Sequence, residues 1–228
     1  MKKLCIFGDV ENSSVHPVAQ VCRELEGLFG KEYDVTVSNF DASLSYEQLS
    51  AFDGVVFYTG DFLKKTNGGD CVVPALVTYV ANGGGLMVIH NLDMTRNEQL
   101  ACLLGCRPTY AMPYGPTTYR IFQPDHIATI MGDKPSPLSE GLEDFTVNDE
   151  AWFYINNPFL YFDAVLRTKS PTYEPDLSCA AIQSYGKGRI AVMGPGHSMD
   201  AFLNETYREI LTRAARYTAG DLKKETEQ

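Results

Sequence analysis

Residues Gly83-Gly84-Gly85-Leu86-Met87-Val88-Ile89-His90 place three glycines before four consecutive apolar residues and close the run with a histidine. A strand that is apolar at every position, rather than at every second one, is buried on both faces, as in the interior of a parallel sheet. The stretch upstream, 70–82, carries Val73, Leu76, Val77 and Val80 on one helical face, and the glycines stop it. Two further apolar runs, 4–7 and 54–59, have the same character, and between them lie an amphipathic helix and a second strand at 33–37. That helix opens at His16-Pro17, repeats Val18, Val21, Cys22, Leu25, Leu28 and Phe29 at three- and four-residue spacing, and stops at Gly30. Ser45-Tyr46-Glu47-Gln48 has capping-box spacing for a short helix through Phe52, and 97–104 reads as another, ended by Gly105. Strands alternating with helices predict an α/β fold: a doubly wound, mostly parallel sheet with helices on both faces.

The flanking sequence is read around that core. Residues 106–177 hold most of the twelve prolines and only short strand candidates, at 119–122, 127–131 and 164–167, so they are expected to form an irregular β-rich insertion or an edge sheet built onto the parallel core. Residues 180–185, the turn Gly186-Lys187-Gly188 and residues 189–193 predict a C-terminal hairpin. Leu203, Tyr207, Ile210, Leu211, Ala214 and Tyr217 then predict one helix from Asp200 to Gly220. A single domain over 1–220 with a charged tail at 221–228 is the expected organisation.

With 228 residues and 44% hydrophobic content the chain can bury a sizeable core. Nineteen Lys and Arg against 29 Asp and Glu leave a net charge of −10, which repels phosphate backbones and anionic lipid and argues against nucleic-acid or membrane-surface partners. No apolar run approaches a bilayer span, since Pro74, Asn82 and the glycines at 83–85 interrupt the best candidate. The N-terminus has too short an apolar stretch for a secretory signal, so a cytoplasmic protein is expected. Six cysteines without a C-x-x-C pair read as free thiols, with Cys102 and Cys106 one helical turn apart.

Ligands of an open parallel sheet bind outside the carboxyl ends of its strands. His16 follows the first strand, His90 ends the strand at 86–89, and His197 follows 189–193 through Gly194-Pro195-Gly196. His126 precedes a strand candidate and is set aside. The carboxylates Asp9, Asp61 and Asp93 also follow predicted strands, and the acidic pair Asp149-Glu150 precedes the aromatic run Trp152-Phe153-Tyr154. Each histidine taken singly is most often a polar residue satisfied by a loop carbonyl; three on one edge favour a shared pocket. Several chemistries are excluded: there is no G-x-G-x-x-G after a strand, no G-x-x-x-x-G-K-[ST], no H-E-x-x-H and no G-x-S-x-G.

These residues resemble a family. The run from Gly83 to His90 is similar to the central strand of class I glutamine amidotransferase-like, flavodoxin-like folds, in which a sharp turn after the strand carries a nucleophilic cysteine; here His90 takes that place. Together with Glu140-Gly141-Leu142, Phe145-Thr146-Val147, Asp149-Glu150, Tyr185-Gly186-Lys187-Gly188-Arg189 and Gly196-His197, it resembles the ThuA-like branch, named for trehalose utilisation. The resemblance implies a role in carbohydrate utilisation, including oxidised keto-disaccharides. Where such proteins often carry His-Pro before the Gly-Leu segment, this chain has Ser136-Pro137-Leu138.

Without a thiol at position 90 the acyl-enzyme route is closed and no glutaminase activity is expected. The expected function is a sugar-modifying enzyme, a hydrolase, isomerase or lyase acting on a sugar or keto-sugar by acid–base or metal-assisted chemistry. Its expected catalytic groups are His90, His197, Asp149 and Glu150, with His16, Asp61, Asn91 and Tyr154 binding substrate. His16, His90 and His197 would also suit a divalent metal, zinc first. The alternative is a non-catalytic sugar-binding or partner subunit, in which Tyr110, Tyr114, Tyr119, Trp152, Phe153 and Tyr154 stack on a sugar or form the interface of a homo-oligomer.

Overall fold

The computed structural model describes residues 1–11, 16–59, 62, 71–90, 93–111, 113–122, 136–156, 163–169 and 177–222, with the backbone alone at 93, 95, 108–111 and 153–156. Its first half follows the alternation in the sequence: β1 (Lys3–Gly8), α1 (Val18–Phe29), β2 (Asp34–Asn39), α2 (Tyr46–Leu49), β3 (Gly54–Tyr58), α3 (Val72–Ala81), β4 (Gly85–Ile89) and α4 (Glu98–Leu104). Every residue of β3 and β4 is buried, as uninterrupted apolar runs require. Helix α1 buries the six residues of its predicted stripe. Ser45 and Gln48 form the capping box that starts α2, and the Asn97 side chain caps α4.

The second half adds β5 (Cys106–Ala111), β6 (Gly115–Ile121), β7 (Phe145–Asp149), β8 (Trp152–Asn156), β9 (Asp163–Thr168), β10 (Leu177–Tyr185), β11 (Gly188–Met193), α5 (Met199–Leu203) and α6 (Glu205–Thr218). Among the described residues the main sheet runs β2-β1-β3-β4-β11-β10-β9-β6-β7, and β5 pairs separately with β8. The strands from β2 to β11 are parallel; the predicted hairpin β10–β11 reverses direction, and β9, β6 and β7 continue antiparallel. The sheet is therefore mixed rather than mostly parallel. Three strands of the β-rich region extend the main sheet at its edge, as the edge-sheet alternative expects, while β5 and β8 pair apart from it. Short, proline-punctuated strands carry too little periodicity to reveal their partners, which are distant in the chain.

Helices cover both faces of the parallel part. Alternate residues Leu4, Ile6, Val56, Met87, Ile89, Ala191 and Met193 pack with α1 and α6, while Cys5, Phe7, Val55, Phe57, Leu86, Val88, Ile190 and Val192 pack with α2, α3 and α4. The C-terminal helix is two helices, not one. Asn204 is extended (ψ 126°), and its side chain accepts from Tyr207 N to begin α6; Leu203 is consequently 59% exposed instead of joining the buried face. Cys102 is exposed on α4 whereas Cys106 is buried on β5, so the two do not share a helical face. No helix among the described residues is long and apolar enough to cross a membrane.

Two of the three glycines at the entry to β4 have distinct roles. Gly83 (φ +118°) follows the C-cap of α3 in a conformation that stops the helix. Gly85 lets two backbones meet: a Cβ there would stand 2.1 Å from the Thr218 carbonyl oxygen on α6. Gly85→Ala is expected to push α6 off the sheet and cost about 1–3 kcal/mol. Chemical denaturation checks this, and an unchanged midpoint would contradict the close approach.

Candidate functional site

The site is built where β4 and β11 end side by side, Ile89 in register with Met193. His90, the next residue after β4, has φ +48°, the one non-glycine of positive φ among the described residues. That conformation costs a residue with a Cβ roughly 1–2 kcal/mol, and two hydrogen bonds hold it. His90 N donates to Met193 O at 2.7 Å, and the ring Nδ1 to Gly194 O at 2.7 Å. A carbonyl only accepts, so Nδ1 carries the proton and Nε2 is the nitrogen left for chemistry.

The segment that carries His197 is fixed residue by residue. Gly194 N donates to Cys179 O, Tyr207 OH to Pro195 O, and Tyr58 OH to Gly196 O at 2.7 Å. Burial, more than the nearby Asp149 charge, pushes the Tyr58 phenol far above its ordinary value, so it remains a donor. Asp149, fully buried at the end of β7, accepts four hydrogen bonds: from Gly196 N and Tyr119 OH at Oδ2, and from His197 N and Glu150 N at Oδ1, all within 2.8–3.0 Å.

The chain then places three imidazoles and one carboxylate together. Ring centroids lie 5.1 Å apart for His16 and His90, 4.9 Å for His16 and His197, and 5.4 Å for His90 and His197. One ligand atom from each ring lies within 4.8 Å of the others. Glu150 Oε2 accepts from Trp152 Nε1 at 3.0 Å and stands 3.2 Å from His197 Nδ1 and 3.6 Å from His90 Nε2. His197 Nδ1 is shielded from solvent, yet no group is aligned to hydrogen-bond it, Glu150 included. The polar contact with His90, helped by the Trp152 indole N–H and by His197, holds the Glu150 carboxyl below its usual range against burial, which acts the other way.

Of the residues singled out in the sequence, His16, His90, His197 and Glu150 meet in this cluster. Asp149 lies behind it, its four hydrogen bonds directed at the backbone of the His197 segment, at Glu150 N and at Tyr119. Tyr154 lies on β8, its side chain outside the described residues, as are Asp61, Asn91 and His126; the strand candidate 127–131 is outside them too. Asp9 is buried at the end of the first strand, and Asp93 lies in a 3₁₀ turn, Asp93–Arg96. Ser136, which stands where the family often has histidine, is buried and accepts from Leu138 N within its own turn. Burial pushes the Cys5, Cys22 and Cys106 thiols up to about 12, which keeps them protonated at neutral pH. Sequence reasoning missed the Trp152–Glu150 pair, although residues two apart on an extended chain point the same way. It also missed Tyr58 and Tyr207, whose hydroxyls position the loop and whose rings read only as core; Tyr119, offered as a sugar-stacking or interface ring, is instead fully buried with its hydroxyl donating to Asp149.

The sequence model of the ThuA family, described as trehalose utilisation, matches residues 4–218, and the chain belongs to that family. Among solved structures it resembles a ThuA-like protein from Bacteroides uniformis ATCC 8492 with a TM-score of 0.69, at 17% identity over 95% of this chain and 91% of that one. A ThuA-like protein from Parabacteroides merdae ATCC 43184 gives 0.67, at 17% identity over 98% and 92%. A cytoplasmic protein from Salmonella typhimurium LT2 gives 0.63, at 12% identity over 97% and 100%. At these identities the likeness is one of fold. Among curated proteins, none matches this sequence.

Asp149→Asn should separate support from chemistry. An amide in that place accepts through one oxygen only and turns two N–H donors toward groups that are donors themselves, a loss of about 1–3 kcal/mol. Denaturation of the variant measures this, and wild-type stability would show that Asp149 does not hold the loop.

Proposed function

We propose that this ThuA-family chain is a cytoplasmic enzyme of carbohydrate utilisation that acts on a sugar or keto-sugar by proton transfer at the His90–His197–Glu150 cluster. The observation that carries the reading is Glu150 Oε2 set 3.2 Å and 3.6 Å from two imidazole nitrogens and hydrogen-bonded to Trp152. A carboxylate held below its usual range is ionised at neutral pH and can accept a proton. An imidazole within reach can donate one, which is the pair that enolisation or hydrolysis next to a carbonyl needs. In this reading Glu150 takes the proton, His90 and His197 supply or hold one, and His16 narrows the mouth. Asp149 acts as a positioning residue, keeping His197 and Glu150 in register through their backbone N–H groups.

The same residues fit a divalent metal. Three imidazole donors within 4.8 Å, one of them with a buried nitrogen that no hydrogen bond satisfies, match the ligand chemistry of zinc with a position left for substrate. The His90 Nδ1 bond to Gly194 O is the kind of outer contact that orients a ligating histidine. When bound, such an ion supplies Lewis acidity toward a substrate oxygen; the proton chemistry remains that of Glu150 and the imidazoles.

Glu150→Gln is expected to lower kcat on a keto-disaccharide by about 10²-fold or more, the ordinary contribution of a general acid or base. His90→Asn, chosen because asparagine tolerates the left-handed backbone, should do the same with the fold retained. Elemental analysis of the purified protein is expected to find stoichiometric zinc that is lost in His197→Ala. Undiminished turnover in Glu150→Gln overturns the acid–base reading, and sugar binding with no product in the wild type would favour a non-catalytic binding subunit.

A further inference from the structure

The antiparallel extension supports the cluster from one face and carries a second group of polar side chains on the other. Tyr119 on β6 turns inward, where its hydroxyl donates to Asp149; Arg120, the next residue, is exposed on the opposite face. In the ladder Arg120 stands directly opposite Arg167 on β9, and Arg167 directly opposite Ser178 on β10. Two guanidinium groups and a hydroxyl thus form a row across three adjacent strands, with about 4.8 Å from one strand to the next.

Arg167 is half-buried and held in place. Its Cζ lies 4.2 Å from the centre of the Phe122 ring, a cation stacked on an aromatic face. Its Nε is shielded from solvent with no hydrogen-bond partner, and the same holds for Ser178 Oγ beside it. Among the described residues no carboxylate forms an ion pair with Arg167. Asp144, the carboxylate next to β6, has its Oδ1 occupied by Ile121 N at 2.8 Å. A guanidinium fixed by stacking, with its donors unspent, is a preformed fork for an oxyanion.

The row also says which oxyanion. Like charges directly opposite each other on neighbouring strands repel, and a dianion placed between them removes the repulsion. A phosphate monoester carries about −1.5 to −2 at neutral pH and several strong acceptor oxygens, enough for both guanidinium groups and the hydroxyl; a carboxylate balances only one of the two cations. With a net charge of −10 on the chain, the row is no part of a generally basic surface. We propose that Arg120, Arg167 and Ser178 form a binding site for the phosphate group of a small phosphorylated metabolite. It lies on the far face of the strand that supports Asp149, shares no residue with the His90–His197–Glu150 cluster and is independent of the sugar chemistry proposed there.

Isothermal titration calorimetry with glycerol 3-phosphate, inorganic phosphate and acetate tests this in chloride buffer. Expected is one phosphate bound per chain, the ester at least as tightly as the free ion and acetate about tenfold more weakly. Arg167→Gln should weaken both phosphates by about tenfold or more, which is about 1.4 kcal/mol or more. Arg167→Lys should do likewise, since an ammonium keeps the charge but not the fork. Arg120→Gln, at an exposed position, should weaken them too and keeps the test open if the Arg167 variants do not fold. Glu150→Gln and His90→Asn should bind phosphate as the wild type does. No phosphate binding, binding undiminished in Arg167→Gln and Arg120→Gln, or acetate as tight as phosphate overturns the site. Loss in Glu150→Gln or His90→Asn instead would place the anion at the cluster and overturn it equally, and free phosphate about tenfold tighter than the ester overturns the assignment to a phosphorylated metabolite. Failure of Glu150→Gln to slow turnover leaves this site standing and touches only the proposed function.

Discussion

The arrangement at the carboxyl edge depends on one buried carboxylate. Asp149 is out of contact with water, and a buried charge is tolerable only when its lone pairs are taken. Four donors take them, two from the loop after β11, one from Glu150 and one from Tyr119 on β6. Because those donors come from both halves of the mixed sheet, the carboxylate ties the parallel strands that carry the histidines to the antiparallel strand β7 that Glu150 directly follows. The hydrogen bonds are charge-assisted, and each loses more on breaking than a neutral one would.

A second constraint lies in the backbone of His90. Its left-handed conformation turns the chain sharply out of β4, and a side chain placed there points away from the sheet at the position where ligands of parallel sheets are bound. Strain of this kind persists only where the surroundings over-determine it. Here the neighbouring strand's end provides the determination, through Met193 O and Gly194 O. The same two residues that lock the turn also fix which imidazole nitrogen is free.

The cluster is thus composite. Parallel strands deliver His16, His90 and His197 from their carboxyl ends, as the topology of an open sheet allows, while the carboxylate follows β7 at the edge of the antiparallel extension and its indole partner comes from β8 of the separate two-stranded sheet. The extension is what distinguishes this site from a bare row of histidines. It brings the Glu150 carboxylate within 3.6 Å of two imidazoles.

The sequence by itself determined the parallel core, because uninterrupted apolar runs and amphipathic helices are local patterns that burial enforces: the stripe of α1, the capping box of α2 and the strand from Gly85 to Ile89 all form as read. It also determined which edge carries the histidines, since that follows from their place just after strands. The resemblance to the ThuA family was legible in the order of short motifs, and the family match over residues 4–218 agrees. The break at Asn204 is a local cap, three residues from its partner Tyr207, that the apolar stripe overrides in the sequence. Tertiary structure alone decided the rest. The pairing of β6 and β7 with the main sheet and the roles of Asp149 and Tyr58 depend on partners tens to more than a hundred residues away. Hydrogen bonds over such separations leave no periodic trace in the chain. A buried aspartate that holds a loop and an aspartate that moves a proton read alike until their neighbours are in place.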